Sequence, residues 1–592
     1  MSAGLDVTIL EAVRQGTSAI AEEMRYDLMR SARSPVLREA GDLSCAITDA
    51  RGSTVAQGND IPMHLGVMGY TVSELLKWVG DAVQPGDIYF VNHPDVGGNH
   101  LPDVKAVHPV FVDGELVAFT VALAHWPDIG GALPGSYVPH ARDLQQEGLV
   151  MPPVRLFDAD GERTEALDLV LANVRGAEQR HGDVQAQAAA VRIAAGRIQE
   201  LALRFGVPAV TSAWVAMQSE TARRVRRALA RLPDGVYDGA DALDGDGISS
   251  DPVEIRCRIE VAGDHATFDL RDSADQTTGP VNTTRFIAAA AVQYAVKAIL
   301  APEAAPNGGL HETITVLTRP GSVCDARLGA PLVAGNHETS QRILDAVMRA
   351  LGAAGAPRVV AGGMGSSGLL LFTGRHPDGR TFVLYETHAG GSGASAQRPG
   401  DAATRIHMSN VMNTPAEVIE AEFPLVVECA AVREGSGGAG IHRGGDGLRR
   451  RYRVTADGVQ LTTMVERAVV PPPGWAGGAP GALSEIWLQR AGERRPIPGK
   501  TSIALAAGDV VEVLTAGGGG WGAPTQGEQL TCSANPSPVS AATLLPSASS
   551  HSFNTPAART TTSRTSSADS PAVTEPPSAT QPHLPLTWPC GT

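Results

Sequence analysis

The sequence predicts an α+β protein: a large multidomain mixed fold with a β-hairpin-rich N-terminal region carrying a candidate metal site, central helices, and a glycine-rich, β-leaning C-terminal part. Three observations carry this expectation. Apolar residues near the N-terminus recur at helical spacing, short apolar runs bounded by turn residues follow them, and glycine clusters punctuate the chain beyond residue 360. At 592 residues the chain exceeds what one hydrophobic core usually supports. Composition shifts place an N-terminal α+β domain at 1–245, a central α/β-type domain at 246–420, a β-rich domain at 421–526 and a Ser/Thr/Pro-rich tail, expected to be disordered, at 527–592.

Residues 7–33 place Ile9, Leu10, Val13, Ile20, Met24 and Leu28 at helical spacing, the signature of an amphipathic helix. "LSCAITDARGSTVAQG" reads as a hairpin turning at Asp49–Gly52, and "GDIYFVNHPD" as a further strand ending in turn residues. From Val184 to Leu232 an Ala-, Arg- and Gln-rich composition at helical period, interrupted near Pro208, predicts two long helices. A β-leaning section opens near Pro252, and an alanine-rich helix runs from Thr283 to Leu300.

The stretch from Gly97 to Gly131 carries the chemistry. Val104–Val112 and Glu115–Ala124 flank Asp113-Gly114, the dipeptide suited to a two-residue type I′ loop. Pairing Val112 with Glu115 sets Asp103 opposite Ala124 and Pro102 opposite His125. His125 therefore lies beside Asp103, with His100 just upstream on the same edge. Pro109 cannot donate to a ladder, so the strand is an edge there or bulges, and a bulge shifts the count by one. Two imidazoles and a carboxylate suit a divalent metal such as Mn, Zn or Fe and leave positions open for a reactant. His93 and Asp128 compete as ligands, with His64, His108 and His140 also nearby.

A net charge of −15 without a basic cluster argues against nucleic-acid binding; the Arg223–Arg231 stretch sits at helical spacing, as a solvated helix face would. The apolar run Phe286–Pro302 is broken by Gln293 and Lys297 and is too short to span a bilayer. With six scattered cysteines and no secretory pattern at the N-terminus, a cytoplasmic protein is expected. "PGKTS" lacks the first glycine of a phosphate loop, which would fall at Arg494, so nucleotide chemistry is not expected in this chain. Glu147, Glu386 and His388 are candidates for proton transfer because each is a titratable group in a glycine- or proline-bounded motif. Gly390, Gly391 and Gly393 are candidate backbone donors to a phosphate.

The segments "DLSCAITDARGSTVAQGNDIPMHLGVM", "GGNHLPDV", "AHWPDIGG", "AGNHETSQRILDAV", "YETHAGGSGA" and "GSGGAGIHRGGDGLRRRY" resemble, in order, the hydantoinase B/oxoprolinase family, over roughly residues 5–525. The resemblance implies a subunit of a hetero-oligomer whose hydantoinase A-like partner binds ATP and phosphorylates a small cyclic amide. It also implies a metal held by a His-x-x-Asp pair and a later His, matching His100, Asp103 and His125. A related ketone-carboxylase subunit uses the same parts, and a non-catalytic scaffold is a third reading. "NHPD" replaces the family's usual Asn-Asp-Pro-Tyr, which adds an imidazole at His93.

Overall fold

The computed structural model describes residues 6–376 and 378–524; the tail expected to be disordered from 527 lies outside them. Helix α1 (Val7–Ser31) starts where the Asp6 carboxylate accepts from the Thr8 amide at 2.7 Å, and its stripe of Val13, Ile20, Met24 and Leu28 is buried. A short helix, α2 (Pro35–Arg38), leads into β1 (Leu43–Asp49) and β2 (Thr54–Gln57), the expected hairpin. Then come α3 (Pro62–Val79), β3 (Ile88–Val91), β4 (Asp103–Val112), β5 (Glu115–His125), β6 (Val154–Asp158) and β7 (Gly161–Glu162). These strands form one antiparallel sheet in the order β2-β1-β5-β4-β3-β6-β7.

Alternation along β4 and β5 divides the two faces. Val104, Ala106, Ala122 and Ala124 join the main core, whereas Val107, Phe119, Val121 and Leu123 pack with Met68, Val72 and Leu75 of α3. Both faces are covered, which explains why the strands read as nearly continuous apolar runs. After α4 (Thr164–Ala172), the two predicted long helices are α5 (Ala177–Phe205) and α6 (Val207–Leu229), and the chain breaks between them at Gly206, φ 83°. Gln187 of α5 ties helix to sheet, accepting from the Trp126 indole at 3.0 Å and donating to the carbonyls of Val104 and Ala122 at 2.9 and 3.0 Å.

Beyond residue 235, β8 (Gly235–Leu243), β9 (Val253–Ala262), β10 (His265–Asp269) and β11 (Ile314–Leu317) make a second sheet, with α7 (Arg285–Ala295) inserted in sequence before β11. Strand β9 alternates strictly between buried and exposed residues, as a sheet with one wet face should, and α8 (Ser340–Ala353) covers the dry face. The remaining strands form a sandwich. Leu370 and Phe372 of β12 (Leu369–Arg375) and Leu384 of β13 (Thr381–Glu386) face Tyr452 of the strand Gly447–Val454 and Val511 and Val513 of the strand Val510–Leu514.

The glycine clusters serve this part of the molecule by letting backbones touch. A side chain at Gly391 would run into Gly445 and Gly518, and the Gly391 amide donates to the Ala516 carbonyl at 2.9 Å. One buried apolar cluster reaches from Val13 to Met464. Among the described residues no helix is long and apolar enough to cross a membrane. The α+β fold class is as the sequence predicts.

Candidate metal centre

Asp113 and Gly114 both adopt positive φ, 50° and 81°, as a type I′ turn requires, and Val112 pairs with Glu115 as counted. The ladder then slips by one residue between Val110 and Phe111, next to Pro109. This bulge places Asp103, rather than Pro102, directly opposite His125. Pro109 lies beyond the β3 ladder, which runs from Tyr89–Val107 to Val91–Lys105, so an internal strand accommodates it.

His100, Asp103 and His125 converge, at most 2% exposed. Asp103 Oδ1 lies 3.0 Å from His100 Nε2 and 3.1 Å from His125 Nδ1, and the two ring nitrogens are 3.2 Å apart. His100 Nδ1 is 2.9 Å from the Val333 carbonyl, which can only accept, so that nitrogen carries hydrogen and Nε2 of the neutral ring turns its lone pair inward. Three inward atoms rich in lone pairs, touching pairwise, are poorly served by ring protons, because protonating both inward nitrogens sets two N–H groups against each other. A single cation serves all three. Ligands bonded at about 2.0–2.2 Å in tetrahedral or octahedral geometry lie about 2.9–3.5 Å from one another, which is the spacing found.

A second layer holds the carboxylate. Asp103 Oδ2 accepts from Asn336 Nδ2 at 3.0 Å and lies 3.3 Å from His64 Nε2 on α3, whose Nδ1 is 3.2 Å from Ser44 Oγ. Burial opposes ionisation of Asp103, but His100 and His64 hold its carboxyl well below the usual carboxylate range. Burial also lowers the Lys105 ammonium to about 8.

Aromatic rings line the remaining side. The Tyr385 and His125 ring centroids are 4.5 Å apart, and the Tyr137 and Tyr385 hydroxyls are 3.2 Å apart. His337 sits with its ring centroid 5.9 Å from that of His100 and 5.7 Å from that of Tyr137. Its Nδ1 is 2.9 Å from Glu338 Oε1, and its buried Nε2 has no partner. Burial, with the neighbouring imidazoles, pushes His337 well below the usual histidine range. Of these surrounding residues the sequence singles out only His64, as a nearby histidine; Asn336, His337, Glu338 and Tyr385 lie in the family-like segments without being marked for the site, and tertiary folding brings them and Tyr137 to it.

The sequence profile of the hydantoinase B/oxoprolinase family matches residues 6–524. The chain belongs to this family. It is 30% identical over 533 residues to the caprolactamase subunit beta of Pseudomonas jessenii, covering 88% of this chain and 91% of that protein. It is likewise 30% identical over 540 residues to 5-oxoprolinase 1 of Arabidopsis thaliana, covering 87% of this chain but only 42% of that protein. In fold it is similar to the crystal structure of the ATP-dependent caprolactamase from Pseudomonas jessenii, with TM-score 0.82, 26% identity, and coverage of 88% of this chain and 92% of that one. It also resembles nucleotide-free acetone carboxylase, with TM-score 0.79 at 18% identity, covering 87% of this chain and 75% of that one.

Other residues that the sequence of this hydantoinase B/oxoprolinase chain singles out lie apart from the three ligands. Glu147 is fully buried and accepts from the Leu332 amide at 2.9 and 3.0 Å and from the Val333 amide at 3.0 Å. Burial raises its carboxyl to about 8. It anchors the strap whose Val333 carbonyl fixes His100. Glu386 pairs with Arg450 at 3.2 Å and accepts from the Thr414 amide at 3.2 Å. His388 is held at both nitrogens, 2.7 Å from the Gly368 carbonyl and 2.8 Å from the Tyr452 hydroxyl. Gly390 and Gly391 spend their amides on the carbonyls of Thr404 and Ala516, and a side chain at Gly393 would meet the Ala361 backbone. Of the rival ligands, His93 accepts from the Asp95 amide at 3.2 Å with its ring against Trp78, and Asp128 accepts from the Gly130 and Gly135 amides at 2.8 Å and pairs with Arg175 at 3.1 Å. His108 and His140 sit against the carbonyls of Asp87 and Gly247.

Proposed function

We propose that this chain is the B-type subunit of an ATP-dependent cyclic amide hydrolase of the hydantoinase/5-oxoprolinase kind. It acts on a substrate that a hydantoinase A-like partner has phosphorylated. The observation that carries the reading is the triangle of His100 Nε2, Asp103 Oδ1 and His125 Nδ1, with edges of 3.0–3.2 Å. These residues would hold a divalent metal, Mn, Zn or Fe, which when bound supplies Lewis acidity at the activated carbonyl and a nucleophile at neutral pH. Coverage of 91% of a caprolactamase beta subunit but 42% of a 5-oxoprolinase fits a chain whose nucleotide chemistry resides elsewhere.

The chain's own groups divide the remaining work. Val333 and Asn336 orient His100 and Asp103. Tyr137 and Tyr385 wall the centre with rings that exclude bulk water. His337 holds a lone pair at Nε2 while Glu338 fixes its other nitrogen, the arrangement of a group that takes up or delivers a proton there. The test is ring opening of hydantoin, 5-oxoproline or caprolactam by this chain with its partner and ATP. Wild type opens a ring only when both are supplied, and His100→Ala abolishes the reaction. Unchanged activity of a metal-free His100→Ala complex would make the chain a scaffold, and fixation of bicarbonate onto a ketone would make it a carboxylase subunit.

A further inference from the structure

One guanidinium beside this centre touches no carboxylate among the described residues. Arg405 donates through Nη1 to the carbonyls of Ser367 and His388 at 2.7 and 3.2 Å and through Nη2 to the hydroxyls of Ser367, at 3.5 Å, and Ser409. Its Nε is buried without a partner, and among the described residues no carboxylate oxygen lies within 4.0 Å of it. The nearby acids are engaged elsewhere, Glu338 with His337 and Glu386 with Arg450. Every hydrogen bond Arg405 makes is to a neutral group, and Asp42, Glu338 and Glu386 act on its charge only from beyond contact distance, so no anion touches this guanidinium in its part-buried setting.

Arg405 is tied to the metal centre by short links. The Ser367 carbonyl that accepts from Arg405 belongs to the residue whose amide donates to Glu338 Oε1 at 3.1 Å, and Glu338 holds His337. The charge of Arg405 acts on both His337 and Tyr385, the groups that flank the ligands. The backbone around it is also unusual. Ala403 and His407, two residues to either side, adopt φ of 46° and 57°, a left-handed conformation uncommon for non-glycine residues.

We infer that Arg405 is the anion-binding residue of this centre and that the anion it takes is the phosphoryl group of the activated substrate. This rests on the hydrolase reading above. The Nε–H left without a partner, together with the Ser367 and Ser409 hydroxyls that accept from Nη2 and can donate their own hydrogens onward, offers donors to a phosphoryl oxyanion, and the anion supplies a counter-charge in direct contact.

The experiment titrates the full-length, metal-loaded chain with inorganic phosphate, following heat and melting temperature, with acetate at matched ionic strength as control. Arg405→Met and Arg405→Lys are compared with wild type, and metal content is measured for all three. The inference predicts that phosphate binds and stabilises wild type, that R405M weakens binding at least tenfold without loss of metal, and that R405K falls between. Equal phosphate affinity in wild type and R405M, or no effect of phosphate on wild type, overturns it. Acetate binding as tightly as phosphate overturns the phosphoryl assignment. Phosphate binding through Arg405 in a chain that holds no metal sinks the hydrolase reading and leaves the anion site standing, whereas retained metal with phosphate binding indifferent to Arg405 does the reverse.

Discussion

Glu147 offers a sharp test of how the centre is held together, because position and chemistry predict opposite outcomes. Glu147→Leu keeps the volume but removes the acceptor for two buried amides, Leu332 and Val333. At about 1–3 kcal/mol per unsatisfied buried donor, the loss is about 2–6 kcal/mol, a large share of a typical folding free energy. The strap also carries the carbonyl that orients His100, so metal affinity should fall about 10–100-fold. Glu147→Gln retains one oxygen for both amides and mimics the neutral carboxyl that burial favours, with its pKa raised to about 8. It should therefore cost under about 1 kcal/mol near pH 5, where the wild-type carboxyl carries its proton in the folded state and little stability has yet been lost, and leave metal affinity within about threefold of wild type. The pH dependence has a defined sign. A carboxyl raised from 4.5 to about 8 contributes stability that is fully present below pH 4.5 and is lost as pH rises through 8. Wild type should lose about 1.4 kcal/mol per pH unit across that window relative to E147Q. Urea unfolding from pH 5 to 9 and a metal-competition titration read both effects. An E147Q protein with native stability and native metal affinity but an inactive complex would refute the positioning role and make Glu147 a proton-transfer group.

Asn336→Ala removes a donor to Asp103 Oδ2 without touching a ligand, and should weaken metal binding about 10–100-fold by competition titration while leaving the far-ultraviolet spectrum unchanged. Gly114→Ala meets open space and pays only for its φ of 81°, so unfolding should show a loss of about 1 kcal/mol. Gly391→Ala has to push backbone aside at Gly445 and Gly518, and should cost about 3 kcal/mol or more, or yield insoluble protein in expression trials.

The hairpin was legible because its determinants are local. Asp113-Gly114 dictates the turn, and Pro109 announces an irregularity, yet which side of Pro109 the bulge takes depends on packing against β1 and α5. That one-residue slip decides whether Ala124 or His125 faces Asp103. His100, Asp103 and His125 lie within 26 residues of chain and could be placed by counting. The second layer could not. Asn336 and Tyr385 reach the centre from more than 200 residues away, and His64 arrives on a helix laid across the sheet. Glu386 and His388 stand out in sequence as titratable residues beside glycines; in the structure Glu386 pairs with Arg450, His388 meets the Tyr452 hydroxyl, and the neighbouring glycines let backbones pack closely, contacts that spacing along the chain does not reveal.

The central claim is that His100, Asp103 and His125 share one cation. Elemental analysis of the purified full-length chain, with the His100→Ala and His125→Ala variants dialysed alongside it, tests it most directly. The account predicts close to one divalent metal per wild-type chain and less than about a tenth of that in either variant. Equal metal content in all three proteins, or none in a folded wild type after loading with Mn, Zn and Fe in turn, would contradict it.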